Sequence, residues 1–180
     1  MTYLAVRCVS LILCLWGLTA CTNQQGNPSA PNTTESTTVE VTSTMSVTEI
    51  ELTPQRFGNF RSVVPQGWRD AGEGAYAYAQ TDIAIVQRHI AAPAISFVQP
   101  GIVDDLNLQN APPDYTIRRS NSLQWRIYAG DTERFRVHYA LAKGRGFLSV
   151  YMVLMQTLPQ DHDTLYETLF LPTLDALQPT

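Results

Sequence analysis

The 180-residue chain predicts an α+β fold in which an antiparallel β-sheet is sandwiched between helical layers, an α/β/α arrangement. Three observations carry this. From Phe147 to Met155 both alternating faces are apolar: Leu148, Val150, Met152 and Leu154 on one, Phe147, Tyr151, Val153 and Met155 on the other, broken only by Ser149. A strand apolar on both sides belongs in the centre of a sheet covered on both sides. Lys143-Gly144-Arg145-Gly146 precedes it with the composition of a hairpin turn, its glycines available for positive φ, so the strand before it runs antiparallel. Near the end of the chain, Leu165, Tyr166, Leu169, Phe170, Leu174 and Leu177 recur at helical spacing and supply one cover.

The remaining elements follow in order. Arg56 to Val64 reads as a strand, closed by the turn Val64-Pro65-Gln66-Gly67, where Pro fixes φ and Gly relieves the last position. Trp68 follows as a lid on the core, its ring buried and its indole N–H at the edge. Ala75 to Gln80 is a short strand bearing Tyr76 and Tyr78; Thr81-Asp82 turns it into a β-branched strand, Ile83 to Ile90. Gly101 to Leu108 places Ile102, Val103 and Leu106 on one side of a short helix, and Pro112-Pro113 marks a loop. Tyr115 to Tyr128 is a strand with Leu123, Trp125 and Ile127 on one face and Gln124, Arg126 and Tyr128 on the other. In the next, Phe135, Val137, Tyr139 and Leu141 point inward, opposite Arg134, Arg136 and His138. At the final helix Asp161 and Asp163 bring negative charge to the start, Thr164 and Glu167 have capping-box spacing, and Pro172 predicts a bend.

The N-terminus has the parts of an export signal: Arg7, an apolar run from Cys8 to Trp16, and small residues before Cys21. The run is too short for a membrane span, which needs about twenty apolar residues. Leu18-Thr19-Ala20-Cys21 resembles the lipobox of a bacterial lipoprotein. The resemblance implies cleavage after Ala20, diacylglyceryl modification of Cys21 and anchorage on the extracytoplasmic face of the bacterial cell membrane. A plain signal peptide is the alternative, and Cys directly after the small residue favours lipidation. The chain then divides into a signal peptide, 1–20, a lipidated Cys with a disordered Thr/Ser-rich tether, 21–48, and one folded domain, 49–180. All three cysteines lie at or before residue 21, so the domain folds by its core alone, without disulfides or thiolate metal sites.

The formal net charge is −4, with Glu35, Glu40, Glu49 and Glu51 forming an acidic approach and the rest near balance, which argues against nucleic-acid binding. No Gly-x-Ser-x-Gly elbow, His-Glu-x-x-His motif or phosphate-cradling glycine loop is present, so neither catalysis nor a cofactor is expected. His89 and His138 fall at outward strand positions. Helix capping accounts for Asp161-His162-Asp163 more simply than a metal does, and the sequence gives no ground for pairing Ser149 with a distant histidine. Arg118, Arg126, Arg134 and Arg136, with His138, fall on the polar side of adjacent strands. That side is either a solvated face balanced by acids such as Asp131 and Glu133, or a docking surface for something anionic.

The Val-Pro-Gln-Gly-Trp entry, the hairpin from Tyr139 to Val150, and the ending Phe170-Leu171-Pro172-Thr173-Leu174-Asp175-Ala176-Leu177 resemble the PsbP-like superfamily over most of residues 55–178. The resemblance implies an antiparallel sheet between helical layers, and binding or accessory roles rather than catalysis. Its bacterial members include lipoproteins on the outer face of the cytoplasmic membrane. The expectation is a non-catalytic accessory module, held to the membrane by lipid and partnered by a protein of the cell envelope. An envelope enzyme with an unrecognised site and a structural surface lipoprotein are the alternatives.

Overall fold

A seven-stranded antiparallel sheet forms the centre of the computed structural model, which describes residues 50–79, 81–109 and 114–180. Cys21, the signal and tether segments and Pro112-Pro113 lie outside the described residues. The strands are β3 (Arg69–Gly72), β4 (Ala75–Ala77), β5 (Ala84–Ile90), β6 (Thr116–Ser120), β7 (Leu123–Asp131), β8 (Arg136–Lys143) and β9 (Val150–Thr157), in the spatial order β3-β4-β5-β9-β8-β7-β6. The doubly apolar strand is β9, fourth of the seven, where neither face can be wetted.

One face, here the helical face, carries Ile85, Trp125, Ile127, Ala140, Ala142, Tyr151, Val153 and Met155. It is covered by a C-terminal helix built of an α-turn α2 (His162–Leu165), a π-helical turn (Tyr166–Phe170) and α3 (Leu171–Ala176). Leu165, Leu169, Phe170, Leu174 and Leu177 are fully buried there, so the predicted stripe is the covering surface. The wide turn comes immediately before the proline segment. Pro172 has no N–H to offer four residues back and its ring crowds that carbonyl, and a widened turn relieves both. The expected Thr164–Glu167 capping box does not form: the helix opens at His162, with Asp161 at the N-cap and no side-chain cap bond. The opposite face, Val86, Tyr128, Val137, Tyr139, Leu141, Val150, Met152 and Leu154, is covered by a 3₁₀ turn (Ile95–Phe97) and α1 (Gln99–Asp105), through Ile95, Val98 and Ile102. That helix starts two residues before its expected position.

Two runs read as single strands are hairpins. Arg56–Val64 is interrupted at Gly58-Asn59, so that β1 (Leu52–Phe57) folds onto β2 (Phe60–Pro65) with Phe57 opposite Phe60. Gly58 takes φ +42°, and the paired phenylalanine rings stack at 4.8 Å. With β10 (Gln178–Pro179) these strands form a separate three-stranded sheet that shares the helical face. Likewise the 115–128 run reverses at Asn121-Ser122, both at positive φ, to make β6 and β7. Asn121 donates its amide to the carbonyls of Asp175 and Leu177, tying the turn to the helix end.

The glycines of the β8–β9 connection also act differently from expectation. The connection runs from Gly144 to Ser149, and neither Gly144 nor Gly146 has positive φ. Gly144 is there for space: a Cβ would lie 2.3 Å from Ser149 Oγ and 2.8 Å from the Tyr151 ring. The Val64–Gly67 turn is as expected, with Gly67 at φ +78°, and Trp68 sits half-buried at the core margin against Tyr78, ring centroids 5.6 Å apart.

Candidate functional site

The five residues expected on one polar side are divided by strand register. Arg118 lies opposite Trp125, and Arg136 and His138 alternate with Ala140 and Ala142, which puts all three on the helical face. Arg126 lies opposite Leu141 on the other face, and Arg134 sits in the β7–β8 connection. The fold-back of the 115–128 run separates Arg118 from Arg126, and the β7–β8 register, which sets Arg126 opposite Leu141, puts Arg126 on the other side from Arg136 and His138. Each arginine also has a partner. Arg118 binds Asp175 of α3 through two hydrogen bonds of 2.9 and 2.5 Å. Arg134 and Arg136 reach Asp82 and Asp131 at 3.7 and 3.8 Å, and the Arg126 guanidinium lies 4.9 Å from the Tyr115 ring centre.

His138 instead belongs to a half-buried chain beneath the C-terminal helix. Its Nδ1 is 2.8 Å from His162 Nε2, and His162 Nδ1 is 2.7 Å from Asp163 Oδ1. The His138 ring packs on His162, Tyr166 and Phe170 at 4.7, 4.7 and 5.9 Å. Its outward assignment is therefore corrected: the alternation of β8 is right, but the helix closes over that side. Burial, with the positive charges of His162 and Arg136, lowers the His138 pKa from 6.5 to about 4, against a smaller opposing effect of Asp163. The two facing nitrogens can share one hydrogen but cannot both carry one and still bond.

The third histidine lies at the other end of the sheet. His89 Nε2 is 3.1 Å from Ser149 Oγ, and its Nδ1 is 3.2 Å from Asn59 Nδ2. Residues 59, 89 and 149 come from β1–β2, β5 and the β8–β9 connection, and only the pairing of Ile90 with Val150 brings the last two together. Ser149 is buried beneath Gly144, whose N–H donates to the Ser149 carbonyl at 2.9 Å. The loop above is pinned by Lys143, whose Nζ donates to the carbonyls of Gly146, Phe147 and Ser149 at 2.6, 2.7 and 3.3 Å. Phe147 and Leu148 project from it, 82% and 51% exposed, although the sequence pattern assigns them to the buried strand. Among the described residues no group of three or more His, Cys, Asp or Glu side chains is placed to hold a metal ion.

No protein-family model matches the chain, and no curated protein sequence matches it significantly. Among solved structures, it is similar to cyanobacterial PsbP (CyanoP) of Synechocystis, with a TM-score of 0.51 and 13% identity over 78% of this chain and 99% of that one. It is also similar to LpqN of Mycobacterium tuberculosis, described as involved in cell envelope biogenesis, with a TM-score of 0.47 and 14% identity over 72% of this chain and 92% of that one. Resemblance in the residues and likeness in three dimensions agree: this chain has a PsbP-like α+β fold.

Proposed function

We propose that this chain is a membrane-anchored extracytoplasmic lipoprotein whose PsbP-like domain serves as a non-catalytic binding or accessory module for a complex of the cell envelope. The observation that carries this reading is Leu18-Thr19-Ala20-Cys21, standing directly before a polar segment and a cysteine-free domain. Acylation of Cys21 by two or more chains gives durable attachment where a single chain is marginal. Among the described residues no helix is long and apolar enough to cross a membrane. Replacing Cys21 by Ser is expected to move the protein from the detergent phase to the aqueous phase on phase partitioning; continued retention would sink the anchor. Cross-linking in the native membrane, followed by identification of the captured proteins, tests the accessory role.

The Asn59–His89–Ser149 line favours a second reading, an envelope enzyme with Ser149 as nucleophile. As oriented, the Asn59 amide donates to His89 Nδ1, which leaves Nε2 as donor rather than base toward Ser149. The buried Oγ and its close cover by Gly144 further disfavour this role. Labelling of Ser149 by a fluorophosphonate, abolished in His89→Ala, would establish it over the accessory reading.

A further inference from the structure

We propose that the Lys143–Ser149 loop is a second, reversible membrane contact, in which Phe147 and Leu148 enter the interface of an anionic bilayer while Arg145 meets lipid phosphates. This rests on the lipid-anchor reading for its biological setting but on separate residues for its chemistry. The first observation is that the apolar tip is built, not loose. Lys143 ties three loop carbonyls, Gly144 N–H closes on Ser149 C=O, and His89 holds the Ser149 hydroxyl, so Phe147 and Leu148 are presented from a fixed base.

The second observation is the charge at this end of the sheet. Strand register brings the β5 terminus at Ile90, the β6–β7 turn and the β8–β9 loop to one end, and the Asn59–His89 bond adds the β1–β2 turn. Segments 59–61, 88–92, 119–124 and 143–150 contain no Asp or Glu. Arg61, Arg119 and Arg145 are exposed in them, and none is ion-paired among the described residues. Two acids do reach this end, Glu73 and Asp175, and both are ion-paired, to Arg88 and Arg118; at the opposite end Asp82 and Asp131 engage Arg134 and Arg136, with Glu133 and Asp163 beside them. An anionic surface is thus attracted to the loop end and repelled by the other.

The third consideration is size. Two projecting apolar side chains fall well short of the roughly 1,000 Å² expected of a stable protein interface. An apolar tip beside basic residues is instead what interfacial insertion uses. Such a contact is weak by itself and becomes effective when a tether holds the local lipid concentration high. The geometry permits it. The chain enters β1 at the far end, where Gln66 N–H donates to the Glu51 carbonyl. A six-residue strand spans about 20 Å, and about thirty residues of extended chain reach about 100 Å, enough to pass the domain.

The test uses the exported chain carrying Cys21→Ser, so that no acyl chain contributes, with vesicles of phosphatidylglycerol and phosphatidylethanolamine, or of phosphatidylcholine alone. Cosedimentation with the anionic vesicles at about millimolar lipid is expected, weakening at least about tenfold in Phe147→Ser/Leu148→Ser with Tm unchanged, and falling with Arg145→Glu or added salt. No vesicle binding by the unacylated chain, or equal binding by the double variant, would overturn the proposal. Loss of a cross-linked protein partner in the double variant, with vesicle binding intact, would also overturn it and assign the loop to that partner. The anchor is read separately, by phase partitioning of the acylated protein with Cys21 intact.

Discussion

The two faces of the seven-stranded sheet are buried by unequal means. On the helical face a helix from His162 to Ala176 and a second small sheet press together, placing four apolar helix residues out of water and half-burying a histidine pair. On the other, a 3₁₀ turn and one short helix contribute Ile95, Val98 and Ile102, and the cover does not extend over Tyr115 and Ile117 at the β6 edge. Both faces of β9 are equally apolar in sequence. Their different covers teach that apolarity specifies burial but not the depth or stability of the layer above it, which depends on how many side chains a covering element commits.

The inequality can be broken in order of expected effect. Leu169→Ala, at a fully buried site beneath the C-terminal helix, should cost about 3–5 kcal/mol in chemical denaturation; Ile102→Ala, under the shorter cover, should cost about 2–3 kcal/mol. Equal losses would show that the two layers are equally committed. Acid should act through the helical face. The unfolded chain gains a proton on His138 near pH 6.5, whereas the folded chain resists until about 4, so stability is complete above the first value and declines as pH falls to the second. The loss attributable to His138 is on the order of 2–3 kcal/mol, and His138→Gln should flatten the denaturation midpoint across that range. A variant with unchanged pH dependence would move the acid sensitivity elsewhere.

Gly144→Ala probes the helical-face end of β8. Its methyl meets Ser149 and Tyr151 at distances that require displacement, which predicts a loss of about 1–3 kcal/mol and a changed His89 NMR signal. The smallest effect is expected at the rim. Arg118→Ala removes a half-exposed pair with Asp175 and should cost less than about 1 kcal/mol, diminishing with salt. Hydrogen exchange supplies an independent ranking: α1 amides should exchange faster than those of α3.

Much of the fold is legible in local pattern. The two apolar faces of Val150–Met155 require a covered central strand, the stripe through Leu165, Leu169 and Leu174 requires a helix packed on it, and Pro65 with Gly67 requires a turn. Gly58-Asn59 and Asn121-Ser122 carry turn chemistry that could have divided the two long runs, but their flanking alternation continues across the reversal and conceals it. The candidate sites were much less visible. His138 and His162 are distant in sequence and meet only because the C-terminal helix crosses β8, while His89 and Ser149 meet only because β5 pairs with β9.

The sequence by itself determined where strand and helix pattern runs, the apolar stripes that must be buried, the absence of cysteine beyond residue 21, and the lipobox-like stretch. Side-chain periodicity and local turn chemistry are properties of neighbours along the chain. Only the tertiary structure decided that the arginines are divided between faces, that one histidine pair is half-buried under a helix, and that Phe147 and Leu148 face solvent at a basic end. Those outcomes depend on strand order and on which element covers which face. Long-range pairing sets both, and no local period encodes it.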